Sequence, residues 1–333
     1  MMTPEEEKQI RTWNSGLSGS REIHLLFTDD KRTAQLEDFC KDLVRLAPKV
    51  EMVRKEEEHV ETPAIKIGPG LRYHAVPLGT ELGPFLEAVS DSGASHAHLS
   101  PSLLKGLQEI TVPAALSLFV APQCPHCPVT ARQILPLASA SEAVRLCVID
   151  GLLFPEIAQS HHIRSVPTVL LDEQFRWTGT LELKELVEVM TNRDPADLSA
   201  SSLEGMLKEG DASSVAAMML EREIIFPAFV DLLAHEKMFV RLGAMVVMEE
   251  IVERNQALAT QVVAPLLERL DQAGDRAQGD ILYVLGESGD GSLVPALEKI
   301  LKGSFHGEVK EAAQEALEKI KNPGPKDQAL ICP

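Results

Sequence analysis

The chain has 333 residues, of which 44% are hydrophobic and 25% charged, and its formal net charge is −18. This length predicts two or three domains, and the ordinary composition argues against disorder. Because no lysine or arginine stripe offsets the acidic balance, we expect neither nucleic acid nor a membrane as a partner. The N-terminus lacks the pattern of a secretion signal and no run of apolar residues reaches the length of a membrane span, so we expect a cytoplasmic protein.

Helix and strand signals alternate along the first part of the chain, bounded by glycine and proline. The first half predicts a helix at 4–13, a strand at 22–28, a helix at 33–47, strands at 50–54, 62–67 and 72–79, and a helix at 80–90. The second half predicts a strand at 113–122, a helix after Cys124, a strand at 143–150, a hairpin at 166–179 and a helix at 181–191. Because the order repeats, we predict two related α/β units, at 1–98 and 99–194.

Strand signals disappear after the second unit, and helical periodicity continues to the end of the predicted repeats. Three segments, which start at Pro227, Pro265 and Pro295, each predict an amphipathic helix, a short polar turn and a second helix. Such regularly spaced helical hairpins are typical of a solenoid. The pattern resembles HEAT repeats, and we predict an α-helical HEAT-like solenoid at 195–322 and a flexible tail at 323–333.

Two cysteines, Cys124 and Cys127, stand close together in the stretch APQCPHCPVT. A single Cys-x-x-Cys clip does not provide the four ligands of a zinc site, so we expect no metal. Pro125 in the first helical position would place Cys124 at a helix N-terminus, where free backbone N–H groups and the helix dipole stabilise a thiolate. Cys127 would lie on the same face, within reach of a disulfide. We therefore predict Cys124 as the nucleophile and Cys127 as the resolving thiol.

The residue between the cysteines, His126, has two interpretations. A protonated imidazole would lower the pKa of the neighbouring thiol, whereas an exposed ring would have no electronic role. The remaining cysteines are expected to be structural or inert. Cys147 alternates with the core residues of a strand, Cys40 lies within a helix, and Cys332 belongs to the predicted tail.

The second unit carries motifs of a known fold. The runs LFVAPQCPHC, VRLCVID and HHIRSVPTVLLDEQFRWTG resemble a thioredoxin fold, and Val166 and Pro167 match its cis-proline loop. In that family the loop faces the active cysteine, and the residue before the proline pairs with the backbone of the substrate. The resemblance therefore implies that Val166 and Pro167, together with Pro125 and His126, contact a substrate.

The repeated order of elements indicates a more specific family within this fold. In the first unit Thr62-Pro63 resembles a second such proline, but Asp29 and Asp30 stand where the cysteines should be. A unit without a Cys-x-x-Cys pair followed by a Cys-x-x-Cys unit resembles the N-terminal module of the alkyl hydroperoxide reductase flavoprotein subunit. It is similar, more distantly, to archaeal protein disulfide oxidoreductases. The fold implied is a tandem of thioredoxin-like α/β units.

A buried acid that thioredoxins carry ahead of the cysteine pair is missing, because Leu118 occupies its position. The resemblance implies that Glu81, in the segment PLGTEL, supplies the carboxylate and accepts the proton of the resolving thiol. The alternative is that Glu81 is an ordinary acid in the first turn of a helix, where the dipole favours it.

No Gly-x-Gly-x-x-Gly fingerprint follows a strand, so we expect no flavin or nicotinamide cofactor beyond the redox-active Cys124–Cys127 pair. The sequence thus predicts a protein dithiol-disulfide oxidoreductase whose partners are proteins, such as a peroxiredoxin or a reductase. The helical repeats would dock a partner or a second subunit, which leaves a homo-oligomer open. The alternative function is a redox-sensing scaffold in which the HEAT-like array is the working part.

Overall fold

The computed structural model describes residues 2–57, 62–91, 99–208 and 210–322. The chain divides into two compact units, Met1–Arg193 and Asp194–Pro333. The predicted tail at 323–333, with Cys332, lies outside the described residues. The two predicted α/β units are not separate bodies, because both belong to the first compact unit.

The helices and strands of the first unit follow the predicted alternation. The helices are α1 (Pro4–Gly16), α2 (Thr33–Leu46), α3 (Leu82–Asp91), α4 (Pro101–Gln108), α5 (Cys127–Ala140), α6 (Pro155–Ser160) and α7 (Leu183–Asn192). The strands are β1 (Arg21–Leu26), β2 (Val50–Lys55), β3 (Ala64–Ile67), β4 (Leu71–His74), β5 (Ala114–Val120), β6 (Val144–Asp150), β7 (Thr168–Leu171) and β8 (Phe175–Thr178). The sequence analysis missed α4 and α6, although each begins with a proline in its first turn, which is a helix start signal.

The eight strands of the described residues form one sheet in the order β2-β1-β3-β4-β6-β5-β7-β8. In the first half β1 pairs in parallel with β2, and β3 and β4 continue the sheet antiparallel. In the second half β5 pairs in parallel with β6, and β7 and β8 continue it antiparallel. Parallel pairing of β4 with β6 joins the two halves. The repeated order found in the sequence is therefore two copies of one topology within a continuous sheet.

The core lies mainly between the sheet and the helices. Because side chains alternate along a strand, Leu116 and Leu118 of β5 face the same side and join one apolar cluster with Ile134 of α5 and Leu36 of α2. Phe119 faces the other side and belongs to a smaller cluster under α6. A strand that is apolar on both faces is typical of the middle of a sheet, and β5 occupies such a position.

The β7–β8 hairpin is tied to the end of the first unit. Asp172 and Glu173 turn the hairpin with φ values of +48° and +62°, in the left-handed region. The buried carboxylate of Asp172 accepts the N–H of Ala115 at 3.0 Å and pairs with the buried guanidinium of Arg193. Arg193 also donates to the carbonyl of Val112 at 2.6 Å. This network fixes the last residue of the first unit against the start of β5.

The described part of the second unit is helical. Its helices are α8 (Ala200–Lys208), α9 (Ala212–Arg222), α10 (Pro227–Leu233), α11 (Met238–Arg254), α12 (Gln256–Ala259), α13 (Val263–Leu270), α14 (Asp275–Ser288), α15 (Val294–Lys302) and α16 (Gly307–Lys321). Successive helices pack in pairs, α10 with α11, α13 with α14 and α15 with α16. The second members α11, α14 and α16 also pack side by side, with α9 against α11. No helix in the described ranges is both long enough and apolar enough to cross a membrane.

Candidate active site

The two cysteines lie where β5 ends and α5 begins. The N–H of Cys124 closes a turn on the carbonyl of Ala121 at 3.0 Å, and Cys127 is the first residue of α5. Both are free thiols; Cys124 is half-buried, whereas Cys127 is fully buried. The sulfur of Cys124 accepts the N–H of Cys127 at 3.1 Å, and its thiol lies 3.7 Å from the carbonyl oxygen of Val166. The accessible sulfur of Cys124 is thus followed, three residues later in the chain, by the buried sulfur of Cys127.

Helix α5 begins later than predicted. Pro125 is not the first helical residue, because the helix starts at Cys127 and its first hydrogen bonds end on the carbonyl of His126. The physical reason is Pro128, which has no N–H to donate to the carbonyl of Cys124 four residues earlier. The prediction that Pro125 is the first helical residue is therefore wrong. The sulfur of Cys124 nevertheless receives an N–H from the first helical residue, as an N-terminal capping group does.

Gly79 and Thr80 of the first half pack against the backbone carbonyls of the loop that carries Cys124. The hydroxyl of Thr80 donates to the carbonyls of Pro122 at 3.1 Å and Cys124 at 3.2 Å. Gly79 has a φ of +61°, and a Cβ there would lie 2.9 Å from the carbonyl oxygen of Pro122. This position therefore requires glycine. The close approach carries the nearby Glu81 into the interior beside the cysteine pair.

Glu81 is an acid buried in the interior. Its side chain is 2% exposed, and neither carboxylate oxygen has a hydrogen-bond partner among the described residues. Burial raises the pKa of Glu81 to about 7; the cation Arg132 opposes this shift and the charge of Asp150 adds to it. Burial also raises the pKa of Cys127, and the charge of Glu81 contributes to that increase. A carboxyl group that titrates near neutrality next to a thiol can take up or release a proton at physiological pH.

Asp150 is a residue of the site that the sequence analysis did not single out. It ends β6, directly opposite Val120 in the register of the sheet, and is buried. Its carboxylate accepts the N–H groups of Leu152 at 2.8 Å and Leu153 at 3.3 Å, and burial raises its pKa. The signal available in the sequence was an acid that closes an apolar strand at the same end of the sheet as the cysteines.

The proline loop lies against the thiol. The Val166–Pro167 peptide bond is cis, Pro167 is buried, and the carbonyl of Val166 faces the sulfur of Cys124. Pro125 and His126 are both exposed. The structure thus brings the half-buried thiol, the proline loop and the two exposed residues between the cysteines to one end of the sheet.

The matching position of the first half has no thiol and is closed by an ion-pair network. Asp30 pairs with Arg32, which also pairs with Glu156 at 2.5 Å. The guanidinium of Arg32 lies 4.1 Å from the ring centroid of Phe154. The Thr62–Pro63 bond, which resembles a second proline loop in the sequence, is not among the cis bonds of the described residues. The matching position of this half therefore holds an ion-pair network instead of a thiol pair, and the half places the buried Glu81 near Cys127.

Cys40 and Cys147, the other cysteines in the described ranges, lie away from the pair. Cys40 is fully buried in α2, and burial raises its pKa to about 12. Cys147 lies in the middle of β6 and is half-buried, less than its strand pattern predicted. Within the described ranges, no group of three or more histidine, cysteine or acidic side chains could hold a metal ion.

The half of the sheet that contains the cysteine pair matches known proteins. Residues 115–191 match a family model described as a thioredoxin domain. A thioredoxin from Methanocaldococcus jannaschii is 30% identical over 79 residues, which cover 23% of this chain and 93% of that protein. The chain belongs to the thioredoxin family. The thioredoxin-like α/β fold predicted from the sequence is thereby confirmed.

This thioredoxin family member also matches longer proteins. A subunit of alkyl hydroperoxide reductase in Xanthomonas campestris pv. phaseoli is 23% identical over 234 residues, 67% of this chain and 44% of that protein. The chain therefore spans less than half the length of this curated relative. The crystal structure of a protein disulfide oxidoreductase from Aeropyrum pernix k1 superimposes with a TM-score of 0.50 at 14% identity, covering 57% of this chain and 92% of the other. That similarity shows the shared fold.

Proposed function

We propose that the protein is a dithiol-disulfide oxidoreductase that exchanges electrons with protein partners through Cys124 and Cys127. The observation that carries the proposal is the arrangement of the two sulfurs. The sulfur of Cys124 is half-exposed, receives a backbone N–H and faces the carbonyl of Val166, and the sulfur of Cys127 is buried three residues further along the chain, at the start of α5. Disulfide exchange proceeds by attack of a thiolate on a disulfide sulfur, and the half-exposed sulfur of Cys124 is the one that a partner can reach.

The reaction has two exchange steps. The thiolate of Cys124 attacks one sulfur of a partner disulfide, so that a mixed disulfide forms and the second partner sulfur leaves as a thiolate. Cys127 then loses its proton, and its thiolate attacks the sulfur of Cys124, which releases the remaining partner sulfur. Two electrons have passed to the partner, and Cys124 and Cys127 are joined as a disulfide. The reverse order oxidises a partner dithiol.

In this proposal Glu81 accepts the proton of Cys127 in the second step. Its burial and its lack of hydrogen-bond partners among the described residues support this role over that of an ordinary surface acid. The pKa of about 7 leaves a substantial fraction ionised at neutral pH and ready to accept a proton. In the reverse direction the protonated carboxyl returns the proton to the leaving thiolate of Cys127.

The substrate would lie along the proline loop. We propose that the backbone at Val166, beside Pro167, pairs with the extended chain around the partner disulfide, and that the exposed side chains of Pro125 and His126 contact it. The carbonyl of Val166 already faces the attacking sulfur, which supports this placement. The two interpretations of His126, a charged group that lowers the thiol pKa or a neutral contact, are distinguished by replacing it with glutamine and measuring the pH dependence of Cys124 alkylation.

The proposed partner is a protein of the peroxiredoxin type, because relatives of this chain are named as subunits of an alkyl hydroperoxide reductase. The redox group is the Cys124–Cys127 pair itself, and the proposed location is the cytoplasm. We also propose that α8–α16 form a HEAT-like array that docks the partner. Its support is the pairwise packing of successive helices, with α11, α14 and α16 side by side.

The experiment that tests the thiol chemistry uses single cysteine variants. Cys127→Ser should accumulate a mixed disulfide with a disulfide-bearing protein such as insulin, visible by non-reducing electrophoresis, and Cys124→Ser should not. Cys147→Ser is the matched control, since this half-buried cysteine lies in mid-strand, and it should retain insulin reduction with a dithiol donor. Equal trapping by Cys124→Ser, or no reduction by the wild-type protein, would overturn the proposal. Partners retained after both cysteines are replaced would favour the redox-sensing scaffold.

A further inference from the structure

One face of the helical unit exposes apolar side chains in a regular pattern. Among the described residues, four of the nine exposed large hydrophobic side chains are on α11 and α14. Met238 is 59% exposed, Leu242 46% and Val246 52%, and their spacing of four residues places them on one side of α11. Tyr283 of α14, 44% exposed, joins them because its hydroxyl donates to Glu249 of α11. We name these four residues the α11–α14 face.

Two side-chain contacts connect the helices that carry this face. The Arg241–Asp280 ion pair at 2.7 Å and the Tyr283–Glu249 hydrogen bond at 3.2 Å connect α11 to α14. Gly279, next to Asp280, has no heavy atom within 4 Å of the position that a Cβ would take. These contacts therefore hold the two helices that carry the face together, and the missing side chain of Gly279 leaves open space on α14.

The α11–α14 face continues into negative charge. Glu249 and Glu253 follow Val246 at one-turn steps along the same side of α11, and both are exposed. Neither makes an ion pair with any residue that the structure describes. The arginines of the same helix are already engaged, since Arg241 is buried against Asp280 and Arg254 pairs with Glu250 at 3.1 Å. The exposed side of α11 is thus apolar along the α11–α14 face and acidic beyond Val246.

This distribution of apolar and acidic residues indicates which kind of partner the surface can bind. A second copy docked antiparallel through the same face would place Glu249 and Glu253 against Leu242 and Met238, and a parallel copy would place them against equal charges. Neither arrangement pairs the carboxylates, which opposes association. A helix with apolar residues at a spacing of four and lysine or arginine beyond them would match both ends, since ridges of this spacing fit between neighbouring helices.

We propose that the α11–α14 face binds a basic amphipathic helix of the redox partner. The inference rests on the docking role proposed for the helical unit and is independent of the cysteine chemistry. The apolar side of the bound helix would cover Leu242, Val246 and Tyr283. Its basic residues would lie over Glu249 and Glu253.

The test measures fluorescence anisotropy of a labelled synthetic peptide with the full-length chain. The peptide contains no cysteine, has the length of α11, 17 residues, and carries leucines spaced by four followed by lysines one turn later. A second peptide has glutamate in place of each lysine. We expect micromolar binding of the basic peptide and at least about tenfold weaker binding of the acidic one.

Variants locate the site. Leu242→Lys combined with Val246→Lys should weaken binding of the basic peptide at least about tenfold. Glu249→Lys combined with Glu253→Lys should do the same and should strengthen binding of the acidic peptide, a reversal that loss of folding cannot produce. Ile224→Lys, at an exposed apolar position outside the face, is the matched control and should bind as the wild type does.

Three outcomes would overturn the inference. They are no saturable binding of the basic peptide, binding that the four substitutions leave unchanged, and a wild-type dimer in light scattering that Leu242→Lys dissociates. The last outcome would assign the face to a second copy of the chain. Because the peptide has no thiol, none of these results affects trapping by Cys127→Ser, so the failure of this inference and the failure of the redox proposal are distinguishable.

Discussion

Replacing Glu81 by glutamine should remove a pH dependence from the stability of the α/β unit. The side chain is 2% exposed, and its pKa is raised from the ordinary value of 4.5 to about 7, chiefly by burial. A raised carboxyl pKa means that the folded state binds this proton more tightly than the unfolded state. Its stabilising effect is complete below about pH 4.5 and is lost as the pH rises through about 7, with a full difference of about 3 kcal/mol.

Urea unfolding between about pH 4.5 and about pH 8 measures this difference. Both tryptophans of the chain, Trp13 and Trp177, belong to the first compact unit, so their fluorescence reports on the unit that contains Glu81. We expect the Glu81→Gln protein to gain stability over the wild type as the pH rises, while the exposed control Glu109→Gln follows the wild type. Parallel pH curves for Glu81→Gln and the wild type would refute the buried-acid argument.

The same substitution should slow the second exchange step and leave the first unchanged. A positioned proton acceptor contributes about 100-fold or more, so release of the second thiol from a mixed disulfide on Cys124 should slow by about that factor at neutral pH. In the wild type this rate should rise with pH through about 7, as Glu81 ionises. Stopped-flow absorbance with an aromatic disulfide resolves the two thiols released. A wild-type rate and pH profile in Glu81→Gln would remove the residue from the mechanism.

Three further substitutions follow from the same geometry. Asp150→Asn removes the charge that adds to the pKa of Glu81, so the midpoint of the pH profile of the second exchange step should move to lower pH; an unmoved midpoint contradicts this. Gly79→Ala puts a Cβ at a φ of +61° against a backbone oxygen, and urea unfolding should show a loss of about 1–3 kcal/mol, whereas an unchanged midpoint would show that the loop can relax. Arg193→Leu leaves the buried carboxylate of Asp172 without its cationic partner and should cost about 3–5 kcal/mol, part of which a second substitution, Asp172→Leu, should recover.

Sequence patterns were sufficient where the determining contacts are local. The apolar run that forms β5, followed by two cysteines, placed the thiols at the end of a central strand, and the order of elements gave the duplicated topology. The start of α5 could not be predicted in the same way. It depends on Pro128, which cannot bond the carbonyl of Cys124, and on Thr80, which occupies that carbonyl from 44 residues away in the sequence.

The acids of the site illustrate the same limit. A resemblance in a short motif pointed to Glu81, but its burial depends on the close approach of Gly79 to the loop before the cysteines. The signal at Asp150, an acid that ends an apolar strand, is too common to distinguish this residue, and its effect on Glu81 exists only after the two halves have joined. The pairing of β4 with β6 that joins them has no local signature in either strand.

That pairing determines how the chain can be divided. Within its own half β4 is the outermost strand, and so is β6 in the other half, so a cut between the halves would leave two outer strands with unpaired backbone groups. Exposed strands of this kind recruit other chains and promote aggregation. A fragment reduced to the cysteine-bearing half would therefore lose its solubility together with the carboxylate of Glu81. The half without the Cys-x-x-Cys pair acts as a permanently attached subunit, and it cannot be discarded to obtain a minimal domain around Cys124 and Cys127.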